Sequence, residues 1–438
     1  MKFRSFKIPV LTLSVLCAIA CTNEDEPNRN SIENPQEKVH TSKIRTLDEA
    51  VDIAKESCKN FYNTKSRAHN KSVNLNDIVV VSDSKSRNSD NDTLMYIVNF
   101  EDNQGYAIIS ASKTKEPLLA ITDYGNSANI DKNPGISFYL ENAKSYLKNK
   151  NDSTDTFSWD ITLPEEKWIE KIVRDTLDFV DVRAKLETNW GQDNPEGWFC
   201  PNKKSGCVPT AIAMITAYFG GVKTMTYTYP DADKKSESIN WNDIRSYNGR
   251  AHFIGVPDVQ ESVTYETRQT IARICRQIGH VANSDYSSSV VTNTWSNYIK
   301  PTLNYFNPYC SIGDLQYYSM PEMINGIKNG LILMRGTDMA TINEDMPSGH
   351  AWVADGVLYY KINEKHYITT TVQYTPWKLT EDITYERCYF HLNWGYNGAD
   401  NGYFSGTVFR TAHADEYDYD TQFHYDKEYG YTQFITIK

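Results

Sequence analysis

The sequence has no excess of positive charge and, after its first twenty residues, no long apolar run. Its 438 residues include 45 Lys and Arg against 56 Asp and Glu, which gives a formal net charge of −11. This balance argues against nucleic acid as a partner, because phosphate binding needs a basic surface. No later window holds the ~18 or more apolar residues that a transmembrane helix requires. The mature chain is therefore expected to be exported and to meet a membrane only through a lipid anchor.

Cysteine is sparse, and no two cysteines have the C-x-x-C spacing of a metal site. Of the eight cysteines, two fall in the N-terminal apolar segment and the others are scattered. Neither a metal nor another cofactor is expected. Disulfide bonds remain an open alternative in an oxidising compartment, and so does a free catalytic thiol. The six scattered cysteines are Cys58, Cys200, Cys207, Cys275, Cys310 and Cys388.

The first 21 residues have the pattern of a targeting segment. Three basic residues within the first seven precede an apolar run over 9–20, which ends in "AIAC". This pattern resembles a bacterial lipoprotein signal, in which Cys21 is acylated and becomes the new N-terminus. The alternative is an ordinary secretory signal cut near Ala20. The sequence predicts a protein of the bacterial cell surface or outer membrane, or one secreted after processing.

The rest of the chain divides into two expected α+β domains. A polar tether over 22–40 leads into the first domain, which ends near residue 180, and the second domain occupies 181–438. Helical spacing of apolar residues predicts a helix over 47–62, and turn chemistry in "EDNQG" predicts a hairpin between two strands. The strands of the first domain are predicted over 77–82, 94–100 and 105–112.

The stretch "SGCVPTAIAMITAYFG" (205–220) places a cysteine directly before a predicted helix. Apolar residues from Val208 to Phe219 recur at three- and four-residue spacing, which predicts one buried face. Pro209 is tolerated in the first turn, and Gly220 with Gly221 supplies a stop. A helix N-terminus favours negative charge, so this position is expected to lower the pKa of the Cys207 thiol. Structural cysteines also occur there, and position alone does not decide between the two.

A thiolate nucleophile needs a histidine, and His350 is the best candidate among nine. In "SGHAWVADGV" it follows a glycine at the start of an apolar strand, where a cleft can form. Its separation from Cys207 falls in the ~130–150 residue range of papain-like enzymes. His391 is a rival base, but its alternation places it in mid-strand, where packing is the expected role.

Two further segments complete a possible Cys–His–Asn constellation. Asn393 is followed by Trp394 and Gly395, a combination that can orient an imidazole and shield the contact from water. Gln192, in "WGQ" upstream of Cys207, is a side-chain donor that could form an oxyanion hole with the backbone N–H of Cys207.

These segments together resemble the streptopain family of papain-like cysteine peptidases. The resemblance rests on five stretches in the family's order over about 190–404: "WGQ", "CP…SGCVPTAIAMI", "INWNDI", "GHAWVADG" and "LNWGYNGADNGYF". The segment 94–125 is similar to the family's pro-segment, which is related to inhibitor proteins. The implied fold is α+β. A papain-like domain, with the nucleophile on a helix packed against an antiparallel β-rich half, follows a small α+β pro-domain.

The resemblance also implies roles for individual residues. Cys207 would be the nucleophile, His350 the general base and acid, and Gln192 part of the oxyanion hole. Trp394 would pack beside the histidine, and Asn393 would help to hold it by side chain or backbone. The expected substrate-binding residues are Gly349 and Ser288; the latter lies in "NSDYSSSVVTNTW", where the family commonly has glycines.

The expected function is an exported cysteine endopeptidase made as a zymogen. It would cleave proteins or peptides through a thioester intermediate, with its own pro-domain as intramolecular inhibitor until cleavage near 180–187. One alternative is a catalytically silent surface lipoprotein that binds peptides or inhibits proteases. Another is acyl transfer to an amine through the same thioester chemistry.

Overall fold

In the N-terminal part of the chain one helix precedes four strands and a second helix follows them. The computed structural model describes residues 43–62, 72–83, 93–148, 168–249, 263–337, 349–370, 376–409 and 431–438. The expected signal, Cys21 and the tether lie outside them. Across the described ranges no helix is long and apolar enough to cross a membrane. The elements are α1 (Leu47–Tyr62), β1 (Val73–Ser82), β2 (Thr93–Phe100), β3 (Tyr106–Ser110), β4 (Leu118–Thr122) and α2 (Pro134–Lys148).

In the N-terminal part, the elements that were predicted from the sequence are explained by capping and turn residues close by in the chain. Helix α1 coincides with the predicted range and begins with a capping box, in which Thr46 Oγ1 accepts from the Glu49 N–H and Glu49 Oε2 from the Thr46 N–H. The predicted hairpin joins β2 and β3, and its turn holds Asp102 and Asn103 at φ 56° and 53°. Strand β4 and helix α2 were not predicted from the sequence.

The two helices cover opposite faces of the N-terminal strands. Helix α1 packs on Val98, Ala107 and Ile109, while α2 packs on the face that carries Ile97 and Ile108. The α2 face continues into the C-terminal part of the molecule.

A long strand connects the two parts. β5 (Trp168–Val182) pairs with residues 357–370 of a later strand. The expected cleavage region therefore begins at the end of a hydrogen-bonded strand, and 183–190 follows without regular structure.

The C-terminal part alternates helices with an antiparallel sheet. Its elements are α3 (Cys207–Phe219), β6 (Thr224–Thr226), β7 (Ser236–Ser238), α4 (Trp241–Ser246), α5 (Tyr265–Val281), α6 (Ile299–Phe306), β8 (Gln316–Tyr317), α7 (Met320–Asn329), β9 (Leu331–Thr337), β10 (Gly349–Thr370), β11 (Lys378–Asn393), β12 (Gly402–Ser405) and β13 (Tyr431–Ile437).

One sheet runs through both parts, in the order β1-β2-β3-β4-β12-β11-β10-β9-β13-β8, with β5 on the second half of β10. Strands β4 and β12 join the two parts through antiparallel pairing of Gly402 with Thr122. A Cβ at Gly402 would lie 2.3 Å from the Ile121 carbonyl oxygen, so only glycine permits this close approach. The N-terminal strands are therefore an extension of the C-terminal sheet.

Helix α3 is buried on all sides, which corrects the expectation of a single apolar face. Every residue from Val208 to Ala217 is buried, because the helix runs between the sheet and α4, α5 and α6. Gly220 ends it in the left-handed conformation with φ 68°, as its sequence predicted.

Alternation along β10 assigns its side chains to two cores. Ala351 and Val353 face the core around α3, whereas Trp352 and Ala354 face the core that contains α2 and α7. By the same alternation His350 faces the α2 side.

Candidate active site

Cys207 is the first residue of α3 and follows Gly206, whose backbone has a positive φ that only glycine adopts readily. Gly206 has φ +93°, and a Cβ there would lie 2.9 Å from Cβ of Thr292. The thiol is half-buried, and its burial raises the pKa despite backbone N–H groups of Ala351, Val208 and Cys207 itself. The lowered pKa expected at the helix N-terminus is therefore not found in this form, because desolvation outweighs the N–H groups.

The loop that carries Gln192 is hydrogen-bonded to residues on both sides of Cys207. The Gln192 carbonyl accepts from the Ser205 backbone N–H at 2.8 Å. Thr210 Oγ1 lies 2.8 Å from Ser205 Oγ and donates to the Gly191 carbonyl at 3.2 Å. The two hydroxyls thus flank Cys207 and fix the loop to α3.

The Gln192 Nε2 is buried and makes no hydrogen bond of normal geometry in the described part of the chain. Its carboxamide lies beside the Tyr396 hydroxyl, whose pKa is raised by burial and by the nearby Cys207 thiol, and lowered less strongly by Gln192. An unpaired buried N–H is costly to keep. A donor beside Tyr396, which itself lies near the Cys207 thiol, is suited to bind a developing oxyanion.

His350 is held by a backbone carbonyl. Its Nε2 lies 2.8 Å from the carbonyl oxygen of Trp394, and since a carbonyl only accepts, Nε2 carries the proton. Burial lowers the pKa of His350 to about 4, although the Trp394 carbonyl acts in the opposite direction. The imidazole is therefore neutral at pH 7, with Nδ1 unprotonated.

The imidazole is enclosed by aromatic rings and by helix α2. The ring centroids of Tyr396, Trp352 and Trp394 lie 5.5, 6.1 and 6.4 Å from that of His350. A Cβ at Gly135, in the first turn of α2, would lie 2.8 Å from Cδ2 of His350. The N-terminal part of the chain thus rests directly on the histidine.

Cys207 and His350 are adjacent but not paired. The thiol lies within reach of the Ala351 N–H and packs into the α3 core, whereas the imidazole occupies the opposite face of β10. Among the described residues neither a hydrogen bond nor an electrostatic interaction joins the two side chains. The candidate residues are thus brought into one region, but the thiol and the imidazole do not form a pair.

Asn393 does not hold the imidazole with its side chain. Its Nδ2 donates to the Thr188 carbonyl at 2.8 Å, and its Oδ1 accepts from the Gly395 N–H at 3.2 Å. The expected contact is made instead by the backbone carbonyl of the next residue, Trp394. Asn393 shapes the turn from which that carbonyl projects.

The two expected substrate-binding residues lie at the border of the site. Gly349 is exposed and opens β10, paired with Thr337. The Ser288 carbonyl accepts from Asn202 Nδ2 at 2.8 Å, and the same amide contacts Thr292 beside Gly206.

Glu196 was missed by sequence reasoning, as were Tyr396, Ser205 and Thr210. The Glu196 side chain is fully buried. Its Oε1 accepts from the Gly191 N–H at 3.2 Å, and its Oε2 has no partner in the described ranges. Burial raises the pKa of this carboxyl to about 8. No motif marks Glu196; only the fold shows that it faces inward beneath the Gln192 loop.

Comparison with known families identifies the domain in which these residues lie. Residues 190–404 match the peptidase C10 family, and this range contains Gln192, Cys207, His350 and Trp394. Residues 190–404 thus form a peptidase C10, or streptopain family, domain. Residues 41–147 match the Spi protease inhibitor family. The predicted α+β papain-like fold with an N-terminal pro-domain is thereby confirmed, and the C10 domain is that of a cysteine-type peptidase.

One solved structure similar to the chain is a fragment of Prevotella intermedia prointerpain A. The two are 15% identical with a TM-score of 0.47, and the match covers 82% of this chain and 98% of that one. A search of curated proteins gave no significant match.

Proposed function

We propose that the chain is the latent precursor of a cysteine endopeptidase whose Spi inhibitor domain keeps the C10 domain inactive. The single observation that carries this proposal is the position of His350, which lies next to Cys207 but is retained on the α2 face of β10. A catalytically silent protein would not require an intact histidine next to a cysteine and beneath helix α2.

Activation requires α2 to leave the imidazole. His350 then turns toward the thiol and accepts its proton. The Cys207 thiolate attacks the carbonyl carbon of a peptide bond, and the carbonyl electron pair moves to the oxygen. The backbone N–H of Cys207 and Nε2 of Gln192 donate to this oxyanion.

The second half of the reaction returns the proton. The His350 imidazolium protonates the leaving amine as the C–N bond breaks, which leaves a thioester on Cys207. Water, deprotonated by the neutral imidazole, then attacks the thioester carbonyl, and the thiolate departs. The expected substrates are proteins or peptides, with Gly349 and Ser288 beside the bound chain.

Inhibition by the N-terminal domain is supported by its continuity with the peptidase sheet. Strand β4 pairs with β12, and the first turn of α2 lies on His350 and Trp394. We place the domains at 22–180, including the tether, and at 181–438, with maturation near 180–187.

The same proposal includes export and lipidation of Cys21. It is supported by the basic, apolar and "AIAC" segments of the first 21 residues. Maturation leaves the lipid anchor on the inhibitor domain. Mass spectrometry of the N-terminal peptide from membranes would show a diacylglyceryl Cys21, whereas an unmodified N-terminus near Ala20 would refute lipidation.

The test of the function compares the full precursor with Cys207→Ala and with Cys310→Ala, which alters another half-buried free cysteine. Under reducing conditions the wild-type and Cys310→Ala chains should mature and hydrolyse casein. Cys207→Ala should do neither. Hydrolysis by a matured Cys207→Ala chain would refute the proposal.

A further inference from the structure

His391 lies between two carboxylates, one from each domain. Its Nδ1 is 2.6 Å from Asp355 Oδ1 in β10, and its Nε2 is 3.2 Å from Asp123 Oδ2 just after β4. All three side chains are buried. Ionised carboxylates only accept hydrogen bonds, so both ring nitrogens carry protons and the imidazole is a cation. The packing role expected for His391 is thus corrected.

The outer oxygens of the two carboxylates are also occupied. Asp355 Oδ2 accepts from the backbone N–H groups of Lys185 and Leu186 at 2.9 and 2.7 Å. Asp123 Oδ1 accepts from the Tyr62 hydroxyl of α1 at 2.9 Å. One continuous network therefore joins the inhibitor domain, the peptidase domain and the chain segment between them.

The charges of this network stabilise one another only while they are together. Burial favours a neutral imidazole, but Asp355 and Asp123 outweigh it and raise the pKa of His391 to about 10. The titratable groups near the network include Tyr403 of β12, whose ring lies 5.2 Å from His391, and Lys185, whose pKa burial lowers while Asp355 opposes the change. Asp181 and Arg183 act on Tyr403, and Tyr218 lies near Asp355. Removal of one partner from a buried ion pair leaves an uncompensated charge and is strongly destabilising.

We propose that Asp123, His391 and Asp355 form a charged clamp through which the peptidase domain recognises a carboxylate of its inhibitor domain and immobilises the interdomain segment at 185–186. This inference rests on the proposed zymogen function and assigns its recognition contact. Departure of the inhibitor domain removes Asp123 from His391. A cut beside Lys185 disturbs the N–H groups that bind Asp355. Either event weakens the other half of the clamp, so cleavage and release of the inhibitor domain are coupled.

The test uses the full Cys207→Ala precursor, which cannot process itself, and trypsin as an added protease. Mass spectrometry follows the cut after Arg183 or Lys185. Asp123→Asn keeps the shape and removes the charge, and it should raise the rate of this cut at least about tenfold. The matched control is Asp77→Asn, because Asp77 lies in the same domain and binds Asn126 rather than the peptidase. Equal rates for the two variants would overturn the clamp.

A second variant keeps the proposal testable if Asp123→Asn does not fold. Near-ultraviolet circular dichroism would detect such misfolding. Tyr62→Phe removes one hydrogen bond to Asp123 and no charge, so it should accelerate the cut by a smaller factor. An unchanged rate in Tyr62→Phe, if Asp123→Asn is unfolded, also overturns the inference.

A different experimental result would show that the proposed function, rather than the clamp, is wrong. With Cys207 intact, the matured peptidases from Asp123→Asn and wild-type precursors are chemically identical and should share one kcat/KM. Absence of peptidase activity in both would refute the function but leave the trypsin result on the clamp intact.

Discussion

Nε2 of His350 donates to the carbonyl oxygen of Trp394 at 2.8 Å, and this bond holds the imidazole on the face of β10 opposite the Cys207 thiol. The histidine is neutral there and the thiol is protonated, because burial acts on both groups in the direction of the uncharged form. In the proposed precursor, latency would therefore have two causes: the separation of the thiol from the imidazole, and burial that shifts the pKa of each group toward its uncharged form.

Gly135→Ala should accelerate maturation of the precursor. A Cβ at this position would lie 2.3 Å from Cε3 of Trp394 and 2.8 Å from Cδ2 of His350, so α2 must move away. The gain of about 1 kcal/mol in helix propensity is smaller than the expected cost of overpacking, about 1–3 kcal/mol. A processing time course should show a severalfold shorter half-time. Gly313→Ala, where a Cβ would meet nothing closer than 3.4 Å, is the control. Equal half-times would contradict the contact.

Acid should reduce the stability that the buried, neutral imidazole of His350 contributes to the precursor. Its pKa is about 4 in the precursor and about 6.5 when unfolded, so the unfolded chain binds the additional proton between these values. The stability contributed by the neutral imidazole is present above pH 6.5 and lost as the pH falls toward 4. Burial raises the pKa of Asp400 to about 6, which acts in the opposite direction.

The His350 contribution is therefore measured as a difference. We expect the difference in unfolding temperature between the Cys207→Ala precursor and the same chain with His350→Gln to change between pH 6.5 and 4. A difference in unfolding temperature that does not depend on pH would show that His350 is already exposed to solvent.

The parts of the fold predicted from the sequence are those with local causes. Helix α1 has apolar spacing and a capping box within four residues, and the β2–β3 hairpin has its turn residues in place. Strand β5 was not predicted, because its partner lies far away in sequence; Arg174 meets Glu364 across 190 residues. The strand contains many apolar residues, but they do not alternate regularly with polar ones, so its sequence carries no clear strand period.

The candidate site divides in the same way. The motifs identified Cys207, His350 and Gln192, since each stands in a recognisable segment. They could not reveal on which face of β10 the His350 side chain lies, because that depends on register with β9 and on α2. The charge on His391 likewise depends on two carboxylates supplied by distant segments.

Gln192→Ala should lower kcat of the mature peptidase and leave KM nearly unchanged. Its buried Nε2 makes no hydrogen bond of normal geometry in the described structure, and it adjoins Tyr396, which also lies near Cys207. We therefore expect its full hydrogen-bond energy to be realised only when the oxyanion forms. Loss of one such donor costs about 10²–10³ in kcat. Steady-state kinetics on a peptide substrate, with the exposed Gln316→Ala as control, measures the effect. A change confined to KM would assign Gln192 to substrate binding instead.

Glu196→Gln should stabilise the precursor above pH 5. The pKa of this carboxyl is about 8 in the folded chain and about 4.5 otherwise, so between these values the unfolded chain releases a proton that the folded chain retains. Stability therefore falls as the pH rises from 4.5 to 8, by a few kcal/mol at most (~1.4 kcal/mol per pKa unit). Glutamine keeps the acceptor for the Gly191 N–H without the titration.

Thermal unfolding of Cys207→Ala precursors at pH 4.5, 6 and 8 measures this effect. The advantage of glutamine at position 196 should be small at pH 4.5 and grow steadily to pH 8. The same substitution at the exposed Glu322 should give no such trend. If Glu196→Gln instead destabilises the chain equally at every pH, the carboxylate is paired with a cation rather than held as a buried acid beneath the Gln192 loop.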